Sequence, residues 1–233
     1  MTNVEHYDAE HYEPGVSRVF QTKDETRAFY DKIARVYDLL AERSEQPMRE
    51  AGLRMLAAQS NERILEIGYG TGHCIVDLAK AVGPDGEVWG IDLSQNMQGI
   101  AQQLAEREGL ADRVRLDCGD AAHLPYESES VDGIFTSFTL ELFDTPDLPS
   151  VLTEWRRVLR TSGRLVVVGL SKEGRQGLVM KAYEWTHKHF PNLMDCRPIF
   201  VSRALEAAGF TIADQSIEHM WVAVEVVKGV KGT

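Results

Sequence analysis

LEIGYGTGH, residues 65–73, determines the expected fold, because it places three glycines where a short apolar strand turns into a helix. Gly68, Gly70 and Gly72 let the backbone make that turn and approach a ligand closely. The amides and the positive dipole end of the following helix would face the same ligand. A dinucleotide-binding turn needs Gly-x-Gly-x-x-Gly, and His73 stands where its third glycine belongs, so the spacing is Gly-x-Gly-x-Gly.

Strand and helix patterns alternate after this turn. The expected strands are 63–68, 87–92, 114–118, 131–138 and 163–170, and the expected helices are 73–82, 94–107 and 148–160. Alternation of this kind means parallel strands joined by right-handed crossovers. A helix over 202–209 then precedes two β-rich runs, 210–219 and 220–228, which predict an antiparallel hairpin. We therefore expect an α/β fold with a doubly wound, mostly parallel, seven-stranded Rossmann-like sheet, a C-terminal antiparallel hairpin and N-terminal helices.

The chain before the glycine turn divides into a polar lead-in and a helical cap. Apolar spacing over residues 23–42 indicates one face of a helix. Pro47 indicates the start of a separate second helix, over about 47–58. The expected division of the chain is a lead-in over 1–22, a cap over 23–60, and one domain over 61–233 with a substrate lid around 172–200.

Composition limits the function classes. The 233-residue chain is 43% hydrophobic and 26% charged, as globular domains are, and its formal net charge is −11. That charge repels phosphate backbones and argues against a nucleic-acid substrate. Cys74, Cys118 and Cys196 lie far apart, so we expect no disulfide, no zinc site and a cytoplasmic location. No apolar run approaches the roughly 18 residues of a membrane span, and no acids are spaced for Mg²⁺, so we expect no metal.

Acidic residues follow the glycine turn at the ends of the next strands. Asp92 ends the second strand, where a carboxylate can accept hydrogen bonds from both hydroxyls of a ribose. Asp92 also precedes a helix, so a helix N-terminal acid is the alternative interpretation. Cys118-Gly119-Asp120-Ala121 ends the third strand. Together with Glu66 before the glycines, this pattern resembles motif I and the following elements of the class I S-adenosylmethionine-dependent methyltransferases.

The resemblance covers about residues 28–228. It implies S-adenosylmethionine as cofactor and S-adenosylhomocysteine as its product, with Asp120 near the exocyclic amine of adenine. The residues predicted to bind the cofactor are Tyr30, Tyr37, Glu66, Gly68, Tyr69, Gly70, Gly72, Asp92, Leu93, Met97, Gly119, Asp120, Ala121, Ser137 and Phe138.

Within this class the chain is most similar to the ubiquinone/menaquinone-biosynthesis C-methyltransferases and their small-molecule relatives. Residues 29–38, FYDKIARVYD, match that group's N-terminal helix, which covers the cofactor. Residues 132–142 match its strand-four loop, although Thr139-Leu140-Glu141-Leu142 replaces the usual gly-leu-arg-asn. Two further departures are Thr161-Ser162 in place of Pro-Gly and the missing proline after Ser171-Lys172. The resemblance implies a small, apolar or aromatic acceptor, methylated on carbon, oxygen, sulfur or nitrogen.

Ligands of doubly wound sheets sit outside the carboxyl ends of the strands, so the acceptor should lie beyond the fourth strand and under the segment after the fifth. The predicted acceptor-binding residues are Thr139, Leu140, Phe143, Tyr183, Trp185 and Arg197, and the candidate general bases are Glu141 and His189. Alternatively, Tyr183 and Trp185 pack a helix, and Arg197 pairs with an acid. A non-catalytic S-adenosylmethionine-binding module and a nicotinamide-dependent oxidoreductase are the alternative functions, and the oligomeric state stays open.

Overall fold

The structure is a computed structural model that describes residues 16, 18, 19, 21–173, 196–220 and 222–232, and for residues 33–44 it describes the backbone without the side chains. The strands in these ranges are β1 (Arg63–Ile67), β2 (Glu87–Asp92), β3 (Val114–Cys118), β4 (Val131–Ser137), β5 (Leu159–Leu170), β6 (Phe210–His219) and β7 (Ala223–Lys231). They form one sheet in the order β3-β2-β1-β4-β5-β7-β6. Strands β1 to β5 pair in parallel, and β7 runs antiparallel to both β5 and β6. The predicted doubly wound sheet with its terminal hairpin is therefore confirmed.

Helices cover both faces of the sheet. They are α1 (Lys23–Leu56), α2 (His73–Val82), α3 (Gln95–Arg107), α4 (Leu148–Val158) and α5 (Val201–Ala207). Successive side chains of a strand point to opposite faces, so each buried strand contributes to two cores. In β5, Val166 and Val168 pack in one core with Leu56 of α1. Leu165 packs in the opposite core with Trp155 of α4.

The N-terminal helical region is one helix rather than two. Helix α1 continues through Pro47, so the break predicted before that proline is wrong. A proline inside a helix removes one backbone hydrogen bond and costs about 3 kcal/mol. Packing on the sheet offsets this cost, because Leu56 is fully buried. A Cβ on Gly52 would lie 2.4 Å from Val168 Cγ2, so the backbone of α1 lies directly on β5.

The passage from α4 into β5 also differs from the prediction. The helix ends at Val158, and β5 begins at Leu159 rather than at 163. Ser162 has a φ of 64°, and the pairing with β4 is irregular between Leu159 and Arg164. The Thr161-Ser162 pair therefore forms a bulge inside the strand instead of a turn before it. Among the helices of the described ranges, none is both long and apolar enough to cross a bilayer.

Candidate functional site

A cavity of about 300 Å³ opens at the carboxyl ends of β1, β2 and β4. The chain moves outward from β1 to β3 and then returns to β4 on the other side of β1. The cavity therefore lies where the strand order reverses, which is the usual ligand site of such sheets.

The glycine turn after β1 forms the floor of the cavity. Gly68, Gly70 and Gly72 have φ values of 71°, 52° and 90°, which side chains rarely adopt. A Cβ on Gly68 would lie 2.1 Å from Thr139 Oγ1, and one on Gly72 would lie 2.6 Å from Ala101 Cβ. A Cβ on Gly70 would meet nothing within 4 Å. Gly68 and Gly70 line the cavity, whereas Gly72 serves the close packing of α2 on α3 and lies outside the wall.

Asp92 holds the glycine turn from the end of β2. Its Oδ2 accepts a hydrogen bond from Gly70 N (2.9 Å), and its Oδ1 accepts one from Ser94 N (2.9 Å). The N-cap of α3 is Ser94, whose Oγ accepts from Met97 N at 3.1 Å. Burial raises the pKa of Asp92 despite these bonds. Ser94, and not Asp92, therefore caps the helix. The carboxylate of Asp92 lies in the cavity wall and is available to a ligand there.

Glu66 lies in the wall beneath the glycine turn. Its side chain is 2% exposed, and Oε2 has no hydrogen-bond partner in the described part of the chain. Burial raises the pKa of Glu66 well above its usual range, while the charge of Arg49 opposes that rise. A buried carboxylate oxygen without a donor is costly, so a cationic ligand at this point would relieve the cost.

Asp120 lies in the loop after β3. Its Oδ1 accepts from Ala122 N at 3.0 Å, and its Oδ2 pairs with Lys23 Nζ at the start of α1. Lys23 lowers the pKa of Asp120, which keeps that carboxylate charged although burial opposes it. Trp155 Nε1 donates to Ala121 O (2.9 Å) and holds the same loop against α4.

The first turns of α1 cover the cavity. Lys23, Thr26 and Tyr30 line it. Asp31 Oδ1 accepts from Ser94 Oγ (2.5 Å), which docks α1 on the junction between β2 and α3. The first turns of α1 therefore lie over the cavity, and their role as a cover for the cofactor stays a prediction.

The chain just before α1 crosses the same cavity. Val19 and Gln21 line it, although the sequence assigned this segment only a polar lead-in. Arg18 Nε donates to Asp144 Oδ1 (2.8 Å), Arg18 Nη2 donates to Asp144 Oδ2 (2.6 Å), and Val19 N donates to Asp144 Oδ1 (3.1 Å). We call residues 18, 19 and 21–23 the strap, because Asp144 holds one end and Asp120 holds the other.

Most of the residues predicted to bind the cofactor or the acceptor do surround the cavity. Those in its wall are Tyr30, Glu66, Gly68, Tyr69, Gly70, Asp92, Leu93, Met97, Gly119, Asp120, Ala121, Ser137, Phe138, Thr139 and Phe143. The side chain of Tyr37 and the whole of Tyr183, Trp185 and His189 lie outside the described residues.

Leu140 and Glu141 lie in the interior rather than in the wall. Residues 140–142 form a 3₁₀ turn with three residues per turn, so Thr139 and Leu142 share the face toward the cavity. Leu140 and Glu141 are fully buried, and Glu141 Oε1 accepts from Leu170 N (3.1 Å). Burial raises the pKa of Glu141 to about 8. Glu141 therefore braces β5, and we withdraw its assignment as general base and that of Leu140 as an acceptor contact.

Arg197 is likewise a structural residue. Its side chain is fully buried, Nη1 donates to Thr145 Oγ1 (2.8 Å), and Nη2 donates to Phe143 O (2.6 Å). It thus ties the chain before α5 to the loop after β4. Arg197 is not among the residues that line the cavity, so we withdraw its assignment as an acceptor contact.

Other wall residues were missed by the sequence analysis. Glu45 and Arg49 come from the second half of α1, and Asp144 and Asp147 come from the loop after β4. Glu45 and Arg49 are one helical turn apart, and a pair of opposite charges at that spacing reads as a surface pair when sequence alone is considered. Only the packing of α1 on the sheet turns this pair toward the cavity.

Comparisons with known proteins identify the family. The family model described as "Methyltransferase domain" matches residues 64–163. The demethylmenaquinone methyltransferase of Geobacillus kaustophilus is 34% identical over 157 residues, 65% of this chain and 66% of that protein. The one of Lactiplantibacillus plantarum is 32% identical over 163 residues, 68% of each chain. This chain belongs to the S-adenosylmethionine-dependent methyltransferases. The nicotinamide-dependent alternative is thereby set aside.

Solved structures share the fold of this methyltransferase. The cyclase SpnF superposes with a TM-score of 0.75 at 17% identity, covering 94% of this chain and 99% of its own. A geranyl diphosphate C-methyltransferase from Streptomyces coelicolor A3(2), in complex with Mg²⁺, geranyl diphosphate and S-adenosyl-L-homocysteine, superposes with a TM-score of 0.70 at 13% identity. It covers 90% of this chain and 97% of its own. At these identities the superpositions establish the fold alone.

The cavity of the methyltransferase fits its cofactor, S-adenosylmethionine. The cofactor carries a sulfonium and an ammonium against one carboxylate, so it is a net cation. Glu66 Oε2 is an unpartnered buried acceptor that suits the ammonium. Asp92 presents two oxygens that suit the ribose hydroxyls. Among the described residues, no group of three or more His, Cys, Asp or Glu side chains could hold a metal ion.

Proposed function

We propose that this methyltransferase methylates a ring carbon of a small, uncharged aromatic acceptor of the demethylmenaquinol type. The observation that carries the proposal is the apolar wall beyond β4. It combines Val19 of the strap with Phe138, Leu142 and Phe143. An aromatic ring can bury itself there without losing polar partners. The similarity to demethylmenaquinone methyltransferases supports the same acceptor class.

The charges of the cavity favour an uncharged acceptor over a diphosphate. Six acids lie in the wall, namely Glu45, Glu66, Asp92, Asp120, Asp144 and Asp147, against the two cations Lys23 and Arg49. Lys23 is engaged by Asp120 and Arg49 by Glu45. A diphosphate in this wall would meet carboxyl groups, while both wall cations already have acidic partners, so its binding would be disfavoured. The same argument and the net charge of −11 support our proposal that nucleic acid is not the substrate.

In the proposed reaction the protein contributes mainly by positioning the cofactor and the acceptor. The cofactor supplies a methyl group already activated by the sulfonium. Gly70 and Asp92 fix the nucleoside part, and Phe138 and Thr139 at the end of β4 face the space where the acceptor would lie. Holding a nucleophile in line at roughly 3–3.5 Å supplies on the order of 7–11 kcal/mol. The φ of Phe138 is 52°, a strained conformation for a bulky residue, which fits a side chain held at a functional surface.

A quinol acceptor needs little help from a general base. The acceptor would bind as the uncharged quinol, and one hydroxyl would lose its proton as the ring carbon attacks the methyl group. The methyl–sulfur bond would break as the carbon–carbon bond forms, and S-adenosylhomocysteine would be the leaving group. The ring C–H proton would then move to that oxygen and restore the aromatic ring. Glu141 is braced against β5 and Asp144 is engaged by Arg18, so neither is free to serve as base. His189, in the predicted substrate lid around residues 172–200, stays a prediction.

A direct assay tests the proposal. The protein is incubated with S-adenosylmethionine carrying a deuterated methyl group, and with either a short-chain demethylmenaquinol or geranyl diphosphate. We expect mass spectra to show the labelled methyl group on the aromatic ring of the demethylmenaquinol and none on geranyl diphosphate. Label in geranyl diphosphate, or in neither compound while the cofactor binds, would contradict the proposed acceptor class. Asp92→Asn serves as the control that links any turnover to this cavity.

A further inference from the structure

The strap adds one apolar side chain to the cavity. Val19 lines the wall together with Phe138, Leu142 and Phe143. These four residues come from two places far apart in the chain, the strap and the segment that begins at the end of β4. Val19 is the only hydrophobic residue of the strap. The shape of the apolar wall therefore depends on where the strap places this side chain.

Asp144 fixes the position of Val19. Its Oδ1 accepts a hydrogen bond from Val19 N at 3.1 Å, so it holds the main chain of the strap as well as the Arg18 side chain. Asp144 directly follows Phe143 in the chain. One short loop therefore carries both an apolar wall residue and the carboxylate that sets its distance from Val19.

Both oxygens of Asp144 are engaged within the protein. Arg18 donates to Oδ1 and Oδ2, and Thr145 N donates to Oδ1 at 2.9 Å. Burial raises the pKa of Asp144, but Arg18 and the backbone donors outweigh this effect and lower the pKa below its usual range. The carboxylate therefore keeps its charge and its partners, and it acts on an acceptor only through Val19.

The chain is also held on either side of Val19. Before it, Val16 packs against the core that contains Leu140. After it, Thr22 caps α1, because Thr22 Oγ1 accepts from Glu25 N at 3.3 Å and Glu25 Oε2 accepts from Thr22 N at 2.8 Å. A side chain whose main chain is supported in this way presents a preorganised surface to a ligand.

We propose that Val19 is a specificity-determining residue for the acceptor, with Arg18 and Asp144 as its positioning residues. Val19 limits the space beyond β4, so the ring system of the acceptor must fit between the strap and the loop after β4. An apolar wall discriminates by size, because a ring that fits poorly loses contacts or strains the wall. The inference rests on the proposed function, since it concerns the ring that is methylated.

A competition between two acceptors measures this role. One is a short-chain demethylmenaquinol, which has two fused rings, and the other is a single-ring quinol with the same side chain. Both are mixed with the protein and S-adenosylmethionine carrying a deuterated methyl group, and the ratio of labelled products gives the ratio of their kcat/KM values. Val19→Phe narrows the space, so the two-ring acceptor should lose roughly 5- to 150-fold against the single-ring one. Val19→Ala removes two methyl groups from the wall and should lower kcat/KM for the two-ring acceptor roughly 3- to 15-fold.

Variants of Arg18 test the positioning. Arg18→Met removes the ion pair with Asp144, so Val19 is held less firmly and the selectivity should fall by up to about fivefold, the range for an exposed pair. Arg18→Lys keeps the charge and should restore part of the selectivity. Loss of folded protein alone would not change this ratio, because it lowers the turnover of both acceptors equally.

Two control variants remove similar groups away from the cavity. Ile217→Ala shortens an apolar side chain that is 44% exposed on β6. Arg54→Met removes an exposed ion pair with Glu50 on α1. Both should keep the selectivity of the parent protein. In the Val19 variants, calorimetry should show a dissociation constant for S-adenosylhomocysteine within about twofold of the parent value, since the proposed contact is with the acceptor.

The possible failures are distinguishable. Parent selectivity in both Val19 variants would overturn this inference and leave the proposed function standing. Equal loss of both acceptors, together with weaker binding of S-adenosylhomocysteine, would show that Val19 shapes the cofactor site instead and would also overturn the inference. If the parent protein binds S-adenosylhomocysteine but labels neither acceptor, the proposed acceptor class is wrong and the inference falls with it.

Discussion

Replacing Asp92 with asparagine tests the centre of the cofactor site. Asn keeps one carbonyl oxygen and exchanges the other oxygen for an NH₂ donor. The NH₂ group cannot accept a hydrogen bond from a ribose hydroxyl. It also cannot accept the one that Gly70 N donates to Asp92 Oδ2 at 2.9 Å in the parent protein. Loss of one hydrogen bond to a charged group costs about 1.5–3 kcal/mol. At 1.36 kcal/mol per tenfold change, cofactor affinity should fall roughly 10- to 150-fold.

Titration calorimetry with S-adenosylhomocysteine measures this loss. The stability of the variant should fall little, because burial already makes the charged carboxylate of Asp92 unfavourable in the protein without cofactor. Each kcal/mol of lost stability would lower the melting temperature by no more than about 4 °C. Asp85→Asn, in the exposed turn before β2, is the matched control and should bind normally. A folded Asp92→Asn protein with unchanged affinity would refute the reasoning and leave Asp92 as a brace for the start of α3.

Three further outcomes are expected. Arg18→Ala should release the strap from Asp144 and speed dissociation of S-adenosylhomocysteine several-fold in stopped-flow traces, since an exposed ion pair contributes up to about 1 kcal/mol; an unchanged rate would mean the strap does not gate exchange. Glu141→Gln should keep methyl transfer. Because the folded pKa of Glu141 is raised to about 8, the parent should lose stability as pH rises from about 4.5 to 8, whereas the variant should not, as urea unfolding at several pH values would show. Amides of residues 28–38 should gain hydrogen-exchange protection when cofactor and acceptor bind, and equal exchange with and without ligand would rule out a mobile lid.

The regular elements after the glycine turn could be predicted from sequence because their patterns are local. Alternating apolar runs, the cap at Ser94 and the glycine after α5 mark ends that depend on a few neighbouring residues. The helix break predicted at Pro47 was wrong, because the free-energy cost of a proline inside a helix is a local property, whereas the packing that offsets this cost is not visible in the sequence. The bulge at Ser162 was missed because strand pairing, rather than local sequence, holds its strained backbone.

The candidate site divides in the same way. Sequence alone predicted Glu66, Gly68, Gly70, Asp92 and the loop around Asp120 as parts of the site, because each lies at the end of a strand and strand ends of a parallel sheet meet at one edge.

Only the tertiary structure decided that Glu141 and Arg197 face inward, that Arg49 faces the cavity, and that residues before α1 cross it. Periodicity fixes which face of an element is apolar. The direction of a polar side chain, and the meeting of segments far apart in the chain, depend instead on how whole elements pack against one another.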